Sequence, residues 1–250
     1  MTSPLFVDCY QGDLSGKPRW DLLAKLGPPY HGAIVKATEG TWYSPQWFDS
    51  QWHTLRHIAG DRYADDWFRG AYHFLKFDTD GAEQAELYCK TVERGGGWGN
   101  GDFWPIVDVE LGSSRNSNQD ASRQEIIDCT TAFAKRCTEL TGRKVMLYGN
   151  GAFRDKLIKG DTKIAGELGC SYLWLPRWTQ TLPREIYERA GWTLDEVVLW
   201  QFGGDGDAAL KGYPKSPPGF GKVDMNVLIH KGGLEWLRAN LWAEDPSPAA

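Results

Sequence analysis

The fold class this sequence predicts is α/β: a single barrel of TIM-like type. Three observations carry that expectation. Short apolar, β-branched runs alternate with amphipathic segments, the pattern of a parallel sheet covered by helices. Eight such runs fit within 250 residues, a routine length for one closed barrel. Polar side chains recur at the C-terminal ends of the runs, the rim where such barrels carry their sites.

The elements follow in chain order. Leu5–Asp8 is the first run and ends on an acid, Asp8. Ala33–Ala37 is the second; it contains Lys36, with Glu39 just beyond. The stretch "HTLRH" that follows puts His53 and His57 one helical turn apart on a helix, but it lacks the glutamate of H-E-x-x-H and reads as a surface pair. Gly70–Leu75 carries Tyr72 and His73. "DTDGAEQAELYCKTVE", residues 78–93, predicts a helix. The fourth run, Trp104–Glu110, holds two acids, Asp108 and Glu110, two positions apart. A long helix follows over residues 120–142, with Ser122 and Glu125 as a capping box and Gly142 as its stop. Lys144–Tyr148 ends on Tyr148. Tyr172–Leu175 contains Trp174, with Trp178 shortly after. Val197–Gln201 ends on Trp200 and Gln201, and Val223–Val227 carries Asp224 near its start. Residues 232–242 predict a terminal helix, and 243–250 a flexible tail. The Gly-rich stretches 93–102 and 203–222 read as flexible surface connections, and the length of the second also invites a lid or cleft-wall role. Residues 1–242 form one domain on this reading.

Composition narrows the function. A net charge of −5 with no basic run argues against nucleic-acid binding. No apolar run reaches the length of a membrane span. The first residues lack the charged and apolar regions of a standard secretory signal. Five scattered cysteines without C-x-x-C read as buried, reduced side chains. No P-loop or dinucleotide fingerprint occurs. Thirteen tryptophans and ten tyrosines supply flat faces that suit sugar rings in a cleft.

The acid pair is the sharpest signal. Residues i and i+2 of a strand share a face, so Asp108 and Glu110 point the same way out of an otherwise apolar segment. Unpaired buried charge is costly. Carboxylates gathered in a cleft either hold a divalent metal or divide acid and base roles. The aromatic content favours a sugar substrate and the second use. On that reading crowding and desolvation raise the pKa of one acid of the pair.

In this order, "FVDCYQGD", "AIVKATEGTWYSPQWF", "GAYHFLKF" with "AEQAELY", "PIVDVE", "VMLYGN", "LWLPRW", "LWQF" and "VDMNVL" span roughly residues 5 to 230. Together they resemble the glycoside hydrolase family 25 lysozymes, the Chalaropsis-type N-acetylmuramidases of many phage endolysins and bacterial autolysins. The resemblance implies a barrel of five β/α units and three further strands, and a peptidoglycan hydrolase acting on the β-1,4 bond from N-acetylmuramic acid to N-acetylglucosamine. It makes Glu110 the general acid/base, arriving protonated with its pKa raised by neighbouring Asp108 and partial burial, and Asp108 an ionised partner, with Asp8 and Asp224 as the other site carboxylates. Tyr72, Tyr148, Trp174, Trp178, Trp200, Gln201, Lys36 and Glu39 are the candidates for substrate contact. No metal and no organic cofactor is implied. The sugar's anomeric carbon is met either by an enzyme carboxylate or by the substrate's own acetamido group.

The expected partner is bacterial peptidoglycan, and the expected state a monomer without a separate wall-binding domain. As a phage or prophage lysin, it would stay in the host cytoplasm until released to the wall, or ride on the virion. Two alternatives stand beside this: a glycan-binding protein without turnover, and a chitinase-like glycosidase. The longer D-x-x-D-x-D-x-E run of chitinases is absent before Asp108. This chain also departs from the family pattern at Asp8-Cys9-Tyr10, at Pro176-Arg177-Trp178 and in both Gly-rich loops, which bear on the subsites rather than the acids.

Overall fold

The computed structural model describes residues 3–10, 19–62, 66–113, 116–150, 153–158, 164–208 and 210–241. The proposed tail, 243–250, and the end of the terminal helix at Trp242 lie outside them. Seven strands run parallel: β1 (Leu5–Cys9), β2 (Tyr30–Glu39), β3 (Phe68–Phe74), β4 (Ile106–Val109), β5 (Met146–Gly149), β6 (Tyr172–Pro176) and β7 (Val197–Gly204). A two-residue strand, β8 (Asp207–Ala208), folds back on the end of β7. The last strand, β9 (Asp224–Leu228), lies between β1 and β7 and is antiparallel to both. Pairing of β6 with β7 closes the sheet into a barrel.

The antiparallel β9 departs from the parallel sheet expected from the alternation of runs. A parallel return needs a crossover, usually a helix. The described part of the β7–β9 connection contains the β8 hairpin and turns, so the chain comes back in the opposite direction.

Six α-helices are described: α1 (Trp20–Leu26), α2 (Gln46–Arg62), α3 (Gly81–Arg94), α4 (Arg123–Thr141), α5 (Arg184–Ala190) and α6 (Gly233–Leu241). The α4 signals act as the sequence predicts: Ser122 and Glu125 cap each other's backbone, and Gly142 stops the helix in the left-handed region. His53 and His57 are exposed on α2. All five cysteines are buried thiols.

Strand alternation builds two cores. Phe6, Ile34, Phe68, Ile106 and Met146 fill the barrel interior. Their neighbours Val7, Val35, Val107 and Leu147 face the helices. On β4 the sequence Ile106-Val107-Asp108-Val109 therefore reads in, out, in, out. The floor is closed by α6, whose Leu237 and Leu241 join the interior cluster. Trp104, Tyr172 and Trp236 pack together beneath it.

The first Gly-rich stretch is held, not loose. Arg69 on β3 is fully buried and pairs with Asp102 through Nη2 at 2.8 Å. Its guanidinium lies 3.5 Å from the Trp52 ring centre. The Gly97 carbonyl accepts from Arg56, Arg69 and Trp52 at 3.0, 3.2 and 3.1 Å. A charge pair under the loop fixes it.

Candidate active site

Above the last apolar layer of the barrel, inward positions turn polar. Asp108, Tyr148 and Trp174 stand side by side in register across β4, β5 and β6. Asp8 is paired with Asp224 across the antiparallel β1–β9 ladder. Tyr72, Glu110 and Gln201 complete the ring. These residues line one open cleft of about 570 Å³ at the strand ends.

Two polar systems hold it. On one side the Gln201 side chain is fully engaged: its Nε2 donates to Asp8 and to Asp224, each at 3.1 Å, and its Oε1 accepts from the Tyr148 hydroxyl at 3.1 Å. Asn226 donates to Asp8 at 2.6 Å and accepts the Trp174 indole N–H at 2.7 Å. On the other side Glu110 accepts from Asn150 at 3.1 Å. Asp108 is buried, and its Oδ1 has no hydrogen-bond partner among the described residues.

Burial governs the acids. It lifts the Asp108 carboxyl well above the usual carboxylate range, and the charge of Glu110 lifts it further. Burial also raises Glu110, while the Asn150 hydrogen bond and the charge of Lys36 pull it back. The expectation that Asp108 stays ionised runs against this environment, because Asp108 sits deeper than Glu110 and has the fewer partners. The phenols of Tyr72 and Tyr148 are pushed well up by burial and then by the acids, so both stay protonated donors.

The substrate-contact candidates divide. Tyr72, Tyr148, Trp174, Trp178 and Gln201 line the cleft. Trp174 is only 2% exposed, with its indole N–H committed, so it is wall more than stacking face. Trp178 is 45% exposed and offers an open ring. Lys36 and Glu39 form an ion pair at 2.6 Å beside the cleft, with the ammonium 4.6 Å from the Phe74 ring centre. They act on the acids through their charges. Trp200 is placed elsewhere: it belongs to the outer core, where its indole N–H donates to the Arg177 carbonyl at 2.6 Å. Strand alternation is the reason, since Gln201 faces inward and its neighbour must face out.

Sequence reading missed Asn150, Asn226, Arg177 and Asp205, of which Asn150, Arg177 and Asp205 line the cleft. The signal for two of them was available. Asn150 follows Tyr148, and Asn226 follows Asp224, by the same i, i+2 step that joined Asp108 to Glu110. Arg177 and Asp205 lie in connections after strands, where no periodicity marks direction.

Residues 7–209 match the model of the glycosyl hydrolases family 25. The chain belongs to this family. An N,O-diacetylmuramidase of Arthroderma benhamiae is 30% identical to this family 25 chain over 201 residues, 78% of this chain and 79% of that protein. An N,O-diacetylmuramidase of Chalaropsis sp. is 36% identical over 120 residues, 47% of this chain and 54% of that protein. The match thus spans about half the length of the Chalaropsis relative. Among solved structures, a muramidase from Trichobolus zukalii superposes with a TM-score of 0.71 at 21% identity, over 96% of this chain and 99% of that one. At that identity the likeness shows the fold: the family 25 barrel with its cleft at the strand ends.

Proposed function

We propose that this family 25 protein is a muramidase that hydrolyses the β-1,4 bond between N-acetylmuramic acid and N-acetylglucosamine in bacterial peptidoglycan. The carrying observation is the acid pair, buried Asp108 and half-buried Glu110, in an open cleft with an exposed indole beside it. The diacetylmuramidase relatives support the choice of sugar.

Glu110 is the general acid. Burial favours its protonated form, and Asn150 holds its carboxyl in place. It gives its proton to the leaving O4 oxygen as the C1–O4 bond breaks. As a carboxylate it then takes a proton from the water that attacks C1. Asp108 serves the other half of the reaction. Its unpartnered Oδ1 is an acceptor waiting for a donor, and the N–H of the 2-acetamido group is one. Holding that N–H aims the acetamido carbonyl at C1 and steadies the positive charge as the carbonyl oxygen bonds there. The water that later attacks C1 breaks this bond and restores the acetamido group. Asp8 and Asp224 are already engaged by Gln201, and Asp8 also by Asn226, which suits a sugar-holding role better than attack.

The test is release of reducing ends at muramic acid from purified peptidoglycan. Glu110→Gln is expected to lower kcat by about 10²–10⁴-fold. Binding by the wild type with no release would mark a glycan-binding protein instead. De-N-acetylated glycan should resist cleavage; cleavage at the normal rate would move the attack to an enzyme carboxylate.

A further inference from the structure

We propose that Arg177 recognises the carboxylate carried on the lactyl branch of muramic acid, and so tells this sugar from N-acetylglucosamine at the Trp178 end of the cleft. The inference rests on the muramidase reading above. Five carboxylates line the cleft: Asp8, Asp108, Glu110, Asp205 and Asp224. Arg177 is the one basic side chain among the described residues that line it. The ionised members of this set repel an anionic sugar except where a cation faces it.

Arg177 is built to be that cation. Its backbone N–H donates to the Gln201 carbonyl at 2.9 Å. Its own carbonyl accepts from Thr179 at 3.0 Å and from the Trp200 indole at 2.6 Å. The main chain is fixed on both sides by the strand that also carries the site glutamine. The half-buried guanidinium has no hydrogen bond or ion pair among the described residues. Its planar fork matches a carboxylate with two parallel hydrogen bonds. The next residue, Trp178, presents its open ring close to Asp224. A sugar laid on that ring brings its C3 substituent within the same end of the cleft. A chitin-type glycan has no lactyl group and no charge there, and gains nothing from Arg177.

The carboxylate has two sources. In peptide-free glycan it is the lactyl carboxylate itself; in peptide-bearing peptidoglycan that group is an amide, and the nearest carboxylates belong to the stem peptide. Reducing-end release by the full chain is measured on three substrates: peptide-free glycan, its methyl ester, and peptide-bearing peptidoglycan. The wild type should favour the free acid over the ester by about tenfold in kcat/KM, carried by KM, as expected for a charge-assisted pair. Arg177→Gln should lose that preference, and Arg177→Lys should keep part of it. A further loss by Arg177→Gln on peptide-bearing material assigns the stem carboxylates to Arg177 as well; no loss there assigns the lactyl carboxylate alone. An acid-over-ester preference that survives in Arg177→Gln, or its absence in an active wild type, overturns the role of Arg177. A wild type silent on all three substrates overturns the muramidase reading itself.

Discussion

At Gly204 a β-carbon would lie 2.1 Å from Asp224 Oδ1 and 2.6 Å from the Trp178 ring. A real side chain there must displace the acid, the indole or the strand end. Gly204→Ala is expected to cut kcat/KM at least tenfold, about the cost of a misplaced positioning group, while thermal melting shows the fold intact. Asp108 makes the opposite trade. Its folded-state pKa is raised, so the native protein binds the extra proton, and its contribution to stability is lost as pH rises through that pKa. Asp108→Asn removes the buried charge in a similar shape. It should raise the melting temperature at neutral and alkaline pH while abolishing turnover. Activity itself should fall as pH rises through the raised pKa of Glu110, which must donate a proton; a kcat/KM profile with no such limb would contradict the assignment. At this scale the sequence showed the acids, because i, i+2 spacing in an apolar strand is a local signal. It did not show which acid is deeper, since burial depends on how far each strand end rises above the interior layer. Gly204 carries no local signal at all: its constraint comes from side chains 20 and 26 positions away, by their numbers.

Among the elements, the loop over residues 95–102 depends on a strand it follows by many residues. Arg69 and Asp102 are buried together, and removing one partner leaves the other charge without compensation. Asp102→Ala should cost about 3–5 kcal/mol in urea unfolding. Arg69→Met with Asp102→Leu should cost far less than the sum of the single changes, which a double-mutant cycle measures. Sequence read this loop as free because glycine content speaks of backbone freedom and is silent about a carbonyl shared by three donors. Other elements were legible to differing degrees. The α4 helix announced both ends through its capping box and Gly142. The short α1 has no side-chain cap at Arg19, so its start had no chemical mark. The direction of β9 could not come from its own residues, because an apolar run pairs either way and the connection decides.

For the molecule as a whole, His73 and the raised site acids tilt stability in opposite directions with pH. His73 lies between Thr38 and Gln84 with its ring stacked on Phe133, and burial lowers its pKa to about 3. The unfolded chain binds a proton from about pH 6.5 downward, and the folded one does not. The contribution of neutral His73 is therefore complete above pH 6.5 and drains away as pH falls toward 3. The raised acids Asp108 and Glu110 work the other way, drawing stability down as pH climbs. Urea midpoints measured across pH should fall on both sides, and Asp108→Asn should flatten only the upper side. A wild-type midpoint indifferent to pH between 6.5 and 3 would refute the His73 assignment.

Barrel closure also sets a schedule. Asp8 emerges early in synthesis, yet it is held by Gln201 and Asn226, which follow it by 193 and 218 residues. Chain made only as far as α4 already contains the acid pair but has no β9 to seal the gap beside β1. Such a fragment leaves β1 with an open edge and Asp8 without its clamps. On the proposed mechanism hydrolytic power therefore waits for the last strand, and a ribosome that stops before Asp224 releases a chain that carries the proposed acid without the vessel that makes it dangerous.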